Sequence, residues 1–209
     1  MATTRKSESL ISHLATSALF TVVTVIALGL IYPVVIWGLG TLLFHQQAQG
    51  SLVTGAGGKV IGSELVGQNF TKPRYFQGRP SAAGKGNDPT ATGGTNFGPT
   101  SKKLIDGMKS AIAALKKANP DATDPIPMDL VTSSASGIDP DISPEGAFYQ
   151  VPRVAKARGM TAAAVRTIVA AHVIPRQLGL LGEPHVNVLA VNRALDARAP
   201  RGEPGAHKP

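Results

Sequence analysis

Between Ser9 and Gly58 the chain contains no Asp, Glu, Lys or Arg, and Leu14 to Phe44 is dominated by Leu, Val, Ile, Ala and Phe. As a helix those residues would extend roughly 46 Å at ~1.5 Å per residue, enough to cross a hydrocarbon core of ~30 Å even when tilted. The apolar region of a cleaved signal peptide is about half as long. The stretch therefore predicts one uncleaved transmembrane helix over 14–44, preceded by a cytoplasmic N-terminus at 1–13. Arg5 and Lys6 lie before the span and the first basic residue after it is Lys59, which assigns the N-terminus to the cytoplasm and the bulk of the chain to the outside. Pro33 lies inside the span and predicts a kink, because proline frees a carbonyl that a neighbouring helix can satisfy. Gly29, Gly38 and Gly40 suit close helix approach in the same way.

Composition narrows what the exported part can do. There is no cysteine among the 209 residues, so disulfides, thiol nucleophiles and cysteine metal sites are excluded and the domain must hold by packing. The net charge of +8 is scattered and aromatic residues make up 5% of the chain, with no nucleic-acid-binding motif, so no nucleic-acid partner is expected. The lipid bilayer is the one partner that composition alone specifies.

Residues 45–58, rich in Gln, Gly, Ser and Thr, read as a tether, and 59–196 as one extracytoplasmic domain. Short apolar pieces among Gly, Pro and Asn predict short strands and ordered loops up to Asn96; helical patterns follow. Thr100 or Ser101 caps a helix with the stripe Leu104, Ile105, Met108, Ile112 and Leu115, ended by Asn119-Pro120. Ser143-Pro144-Glu145 starts another, which Pro152 restarts or kinks and Gly159 closes. Thr161 caps the next, and a last helix runs from Asn187 to Leu195. The tail 197–209 has no apolar stripe and reads as disordered. The fold class is α+β: one N-terminal transmembrane helix, then a single domain of short strands and several helices.

No catalytic constellation emerges. Gly55 to Lys59 resembles a phosphate loop but Val60 stands where Ser or Thr must hold magnesium, and no strand is expected before it. The five histidines lack metal-ligand spacing, and Ser133, Ser134 and Ser136 lack a nucleophile elbow. Asn69-Phe70-Thr71 is a glycosylation sequon by pattern alone. Two segments stand out instead. Gln68 to Ser81, with Asn69, Phe70, Arg74, Tyr75, Phe76, Arg79, Pro80 and Ser81, carries residue types favoured at interface centres. Ser133 to Pro144, with Gly137, Asp139, Ser143 and Pro144, predicts a rigid loop suited to docking or to bracing.

The ordered series GQNF, YFQGRPS, GGTN, SASGIDPDISP, QVPRVAKARG and VNVLAVNRALD, behind an N-terminal span, resembles the C subunit of the Kdp potassium-transporting P-type ATPase from Leu14 to Asp196. Asp141 departs from the His or Asn expected there. The resemblance implies a non-catalytic accessory subunit of a bacterial inner-membrane complex that imports potassium at the expense of ATP. Its implied partners are a channel-like A subunit, an ATP-hydrolysing B subunit and a small F subunit, which handle the potassium and the ATP. No cofactor is then bound by this chain directly, although the family is described as ATP-binding. Two roles follow from the resemblance: assembly of the complex with access of potassium on its outer face, or a catalytic chaperone that raises the ATP affinity of the B subunit. A membrane-tethered periplasmic binding protein is the remaining alternative. The expected partner-contact or loop-bracing residues are Asn69, Phe70, Tyr75, Arg79, Pro80, Ser81, Gly137, Asp139, Ser143, Pro144, Gln150, Pro152, Arg153, Lys156, Arg158 and Asn187.

Overall fold

The structure is a computed structural model describing residues 9–55 and 57–198, which divide into two compact units at Ser51/Leu52. Arg5, Lys6 and 199–209, the bulk of the expected disordered tail, lie outside the described residues.

The first unit is one continuous apolar helix from Leu10 to Leu43, four residues earlier at its start than the hydrophobic pattern alone suggests. Ser9 sets that start, its hydroxyl accepting the Ser12 N–H at 3.3 Å. Within the run, α1 (Leu10–Thr24) passes into a π-helical segment, Val25–Ile31, and then α2 (Tyr32–Leu43). Pro33 stands two residues after the π segment, at the second position of α2, and brings no N–H to the helix ladder. A short helix, α3 (His45–Ala48), follows.

The second unit begins inside the expected tether. β1 (Leu52–Thr54) pairs antiparallel with β2 (Val60–Ser63), and Val53 is buried. Three residues are too few for alternation to stand out against a Gly-rich background, which is why this strand reads as linker. From 64 to 101 the described chain has neither helix nor strand. α4 (Lys102–Ala118) then forms as its stripe predicts, ending at Asn119, although Ser101 makes no side-chain cap bond.

Around the core, β3 (Asp141–Ile142), β4 (Val173–Ile174) and β5 (His185–Asn187) form an antiparallel sheet in the order β3-β5-β4. It packs with α5 (Pro144–Arg158), α6 (Ala162–Ala171) and α7 (Val188–Arg198). The α+β class is as expected. Local signals place the helix ends: Ser143 accepts the Gly146 N–H, Thr161 accepts the Ala164 N–H, and Gly159 turns the chain at φ 63°. Pro152 does not restart the helix; α5 runs through it, with buried Val151 and Val154 on either side fixing the segment in the core. α7 extends to Arg198, two residues into the expected tail. Phe76, Ile142, Val151, Val154, Val165, Ile168, Val186, Val191 and Leu195 form the fully buried centre.

Candidate functional site

The irregular segment 64–101 is held to the helices by side-chain amides that act as surrogate strands. Asn192 on α7 accepts the Phe76 N–H at 2.8 Å and donates to the Phe76 carbonyl at 2.9 Å. Gln150 on α5 does the same for Gln77, accepting its N–H at 2.9 Å and donating to its carbonyl at 3.1 Å. Both amides are about 1% exposed, so each satisfies backbone groups that water cannot reach.

Two arginines of α5 extend this brace. Arg153 donates through Nε to Asn119 Oδ1 at 2.8 Å, through Nη1 to the Pro73 and Tyr75 carbonyls at 2.6 and 2.9 Å, and through Nη2 to Gln150 Oε1 at 2.6 Å. Burial pushes its guanidinium pKa down to about 10, still charged at neutral pH, with neutral oxygens as its hydrogen-bond acceptors. Arg158, whose side chain is 1% exposed, bonds the Arg74 carbonyl at 2.7 Å and Asp196 at 2.9 Å while lying 5.1 Å over the Tyr75 ring. Tyr75 also donates to Asp196 at 3.2 Å and packs against Phe70 at 5.3 Å between ring centres. Burial, and then the Asp196 charge, raise the Tyr75 pKa.

The loop 133–144 is stitched to the first segment at its other end. Arg79 pairs with Asp139 at 3.0 Å, the Pro80 carbonyl accepts the Ser134 N–H at 3.2 Å, and the Ser81 hydroxyl donates to the Gly137 carbonyl. Gly137 has φ 72°, and a Cβ there would stand 2.7 Å from Ala83 Cβ and 2.8 Å from the Gly93 carbonyl oxygen, so only glycine fits. Asn69 bonds Gly86 and Asn87 rather than presenting a free amide. Ser143 is fixed by Asp129, whose carboxylate accepts both its N–H at 2.7 Å and its hydroxyl at 3.0 Å; Pro144 then opens α5. Asn187 donates to Glu64 O and to Asp141, each at 3.0 Å, and accepts from Ala190 at the start of α7. Burial raises the pKa of Asp141, which stands 3.7 Å from His185. Lys156 lies outside the network, pairing with Asp121 at the surface.

The motif residues thus converge on one another, with Pro152 inside α5 and Lys156 on its exposed side. Sequence reading missed Asn119, Asp129, Asn192 and Asp196, the distant partners; Asn192 and Asp196 fall within a quoted motif, but nothing local pairs Asn192 with a backbone 116 residues away. Among the described residues no three His, Asp or Glu side chains gather in a metal-binding group. Some apolar surface is left accessible. In the stripe of α4 Ile105 is exposed while Leu104, Met108, Ile112 and Leu115 are half-buried, Leu115 against the core, and Met108 and Ile112 line a groove of about 690 Å³ with Ile126, Met128 and Tyr149. The turn joining β4 to β5 exposes Leu178, Leu180 and Leu181 by 88%, 80% and 60%. It is a rigid turn: Gln177 and Leu181 exchange backbone hydrogen bonds at 2.9 Å, and Arg176 pairs with Glu183 across its base.

The family model described as "KdpC: K+-transporting ATPase, c chain" matches residues 14–197. A potassium-transporting ATPase KdpC subunit of Koribacter versatilis is 49% identical over 193 residues, covering 92% of this chain and 98% of that protein. The protein of the same name from Bradyrhizobium diazoefficiens is 55% identical over 183 residues, covering 82% and 90%. That from Caulobacter vibrioides is 49% identical over 191 residues, covering 91% and 96%. With the span, the braced loops and this similarity running through one chain, it belongs to the KdpC family, the c chains of potassium-transporting ATPases.

Proposed function

We propose that this chain is a non-catalytic, single-pass accessory subunit of an ATP-driven potassium import complex of the bacterial inner membrane. Its domain lies on the outer face, stabilises assembly with the channel-like A subunit, and shapes the access of potassium; the B and F subunits complete the complex. One observation carries the reading. The polar residues of the motif-rich loops are engaged with one another, through Arg79–Asp139, Arg153 with its carbonyls and Arg158–Asp196, whereas three leucines of a rigid turn are left in water. A surface built that way supports a docking role, since pre-formed apolar knobs lose little entropy when a partner covers them.

Co-expression with the other subunits tests it. The triple change Leu178→Ser, Leu180→Ser and Leu181→Ser lowers co-recovery of the A subunit without lowering the melting temperature of this chain. Assembly of a fully active transporter when this chain is omitted would sink the proposal. The chaperone alternative makes a separate demand: saturable binding of micromolar ATP to the detergent-solubilised chain in calorimetry favours it, and our reading expects no such heat.

A further inference from the structure

The π segment and Pro33 together leave a backbone acceptor in the middle of the span without a donor. The Tyr32 N–H bonds the Ala27 carbonyl, five residues back, and so is not spent on Leu28, four residues back. In the five-back register the donor to Leu28 would be residue 33, and proline has no N–H. The Gly29 carbonyl loses its four-back donor for the same reason. Hydroxyls of the helix do not repair this: Thr21, Thr24 and Thr41 return theirs to Ser17, Phe20 and Trp37. Leu28 lies near the centre of the 34-residue apolar helix, at a depth where water cannot substitute and an unsatisfied carbonyl is costly.

The glycines around it are open outward. A Cβ on Gly40 would meet nothing within 4 Å, and one on Gly29 would meet only Val25 Cγ1 at 3.8 Å, so neither residue is small for the sake of its own helix. Gly29, Pro33 and Gly40 fall at i, i+4 and i+11, close to one stripe, while Gly38 lies on the far side.

We infer that this stripe seats a transmembrane helix of a partner subunit, one that brings a hydroxyl, amide or ammonium donor to the Leu28 carbonyl at mid-bilayer. The inference rests on the assembly role proposed above and names where in the membrane it is exerted. The alternative occupant is a second copy of this chain: in a parallel pair the same residues meet at the same depth, Val25–Ile31 (VIALGLI) carries no side-chain donor, and the Tyr32 hydroxyl, one turn above, is the nearest that such a pair would bring.

The test co-expresses the tagged full chain with its partner subunits and measures their co-recovery in mild detergent. Pro33→Ala returns the missing N–H to the helix, and Gly40→Leu fills the stripe without touching the backbone ladder. Each is expected to lower co-recovery roughly 3- to 10-fold, the scale of one interhelical hydrogen bond with its packing, while Gly38→Leu leaves it at the wild-type level. Unchanged co-recovery with both Pro33→Ala and Gly40→Leu overturns the inference but leaves the assembly role standing, as does an equal loss with Gly38→Leu. A Gly40→Cys chain that oxidises mainly to its own disulfide-linked dimer overturns it in favour of a second copy. A wild-type chain that retains no other subunit removes the assembly role and this inference together.

Discussion

Arg153 shows how a charge can be buried without a carboxylate to bond it. Four neutral oxygens fix its guanidinium, two of them main-chain carbonyls of the irregular segment, so it ties α5 to a loop that has no ladder of its own. Arg153→Ala strands those acceptors in a dry site and should cost about 3 kcal/mol, given about 1–3 kcal/mol per orphaned group and some relaxation. Arg153→Lys should recover only part of that, because an ammonium cannot match the planar fork. Thermal melts of the detergent-solubilised chain followed by circular dichroism check both; a loss below about 0.5 kcal/mol for Arg153→Ala would remove it from the brace. Asp141 makes the opposite case. Its folded pKa is raised by burial, so the folded state holds the proton more tightly than the unfolded chain, and stability falls as pH rises through the window above the ordinary carboxylate value. Asp141→Asn keeps an acceptor for Asn187 and discards the buried charge. It is expected to raise the melting temperature at pH 7 and to have little effect at pH 3, where both forms are neutral.

At the scale of elements, the turn between β4 and β5 sets docking against stability. Leu178 sits at φ 54°, a region that costs a residue with a Cβ roughly 1–2 kcal/mol and that Asn tolerates better. Its side chain is 88% exposed, so little packing is lost on replacement. Leu178→Asn should therefore stabilise the chain by about 1 kcal/mol while weakening co-recovery of the partner subunit. A destabilised variant would show that the leucine is held by packing within the fold. The helices and their caps were legible because their signals are local: Ser143, Thr161 and Gly159 act within a few residues of the ends they set. The strands were not, since β3 and β4 have two residues each and their pairing depends on β5. The brace was half legible. Gln150, Arg153 and Asp139 stand in dense motifs, but their partners at Gln77, Pro73 and Arg79 are 60 to 80 residues away, and contacts at that separation have no periodicity to betray them.

For the whole molecule the open variable is which side of the bilayer receives the domain. The driving force is asymmetric charge: Arg5 and Lys6 precede a helix of 34 residues that holds none of the four charged residue types, and Lys59 is the first such residue after it. Retaining the basic end inside sends everything after Leu43 outward. Because the chain has no cysteine, one introduced thiol reports its own compartment without background. Lys85 is exposed in the irregular segment, unlike Ser81, whose hydroxyl is engaged with Gly137 and Asn87. With Lys85→Cys, a membrane-impermeant maleimide should label intact cells to the same extent as permeabilised ones; with Ala2→Cys, labelling should require permeabilisation. The reversed pattern would put the domain beside cytoplasmic ATP, restoring the chaperone role to contention and leaving potassium access at the outer face without a physical basis.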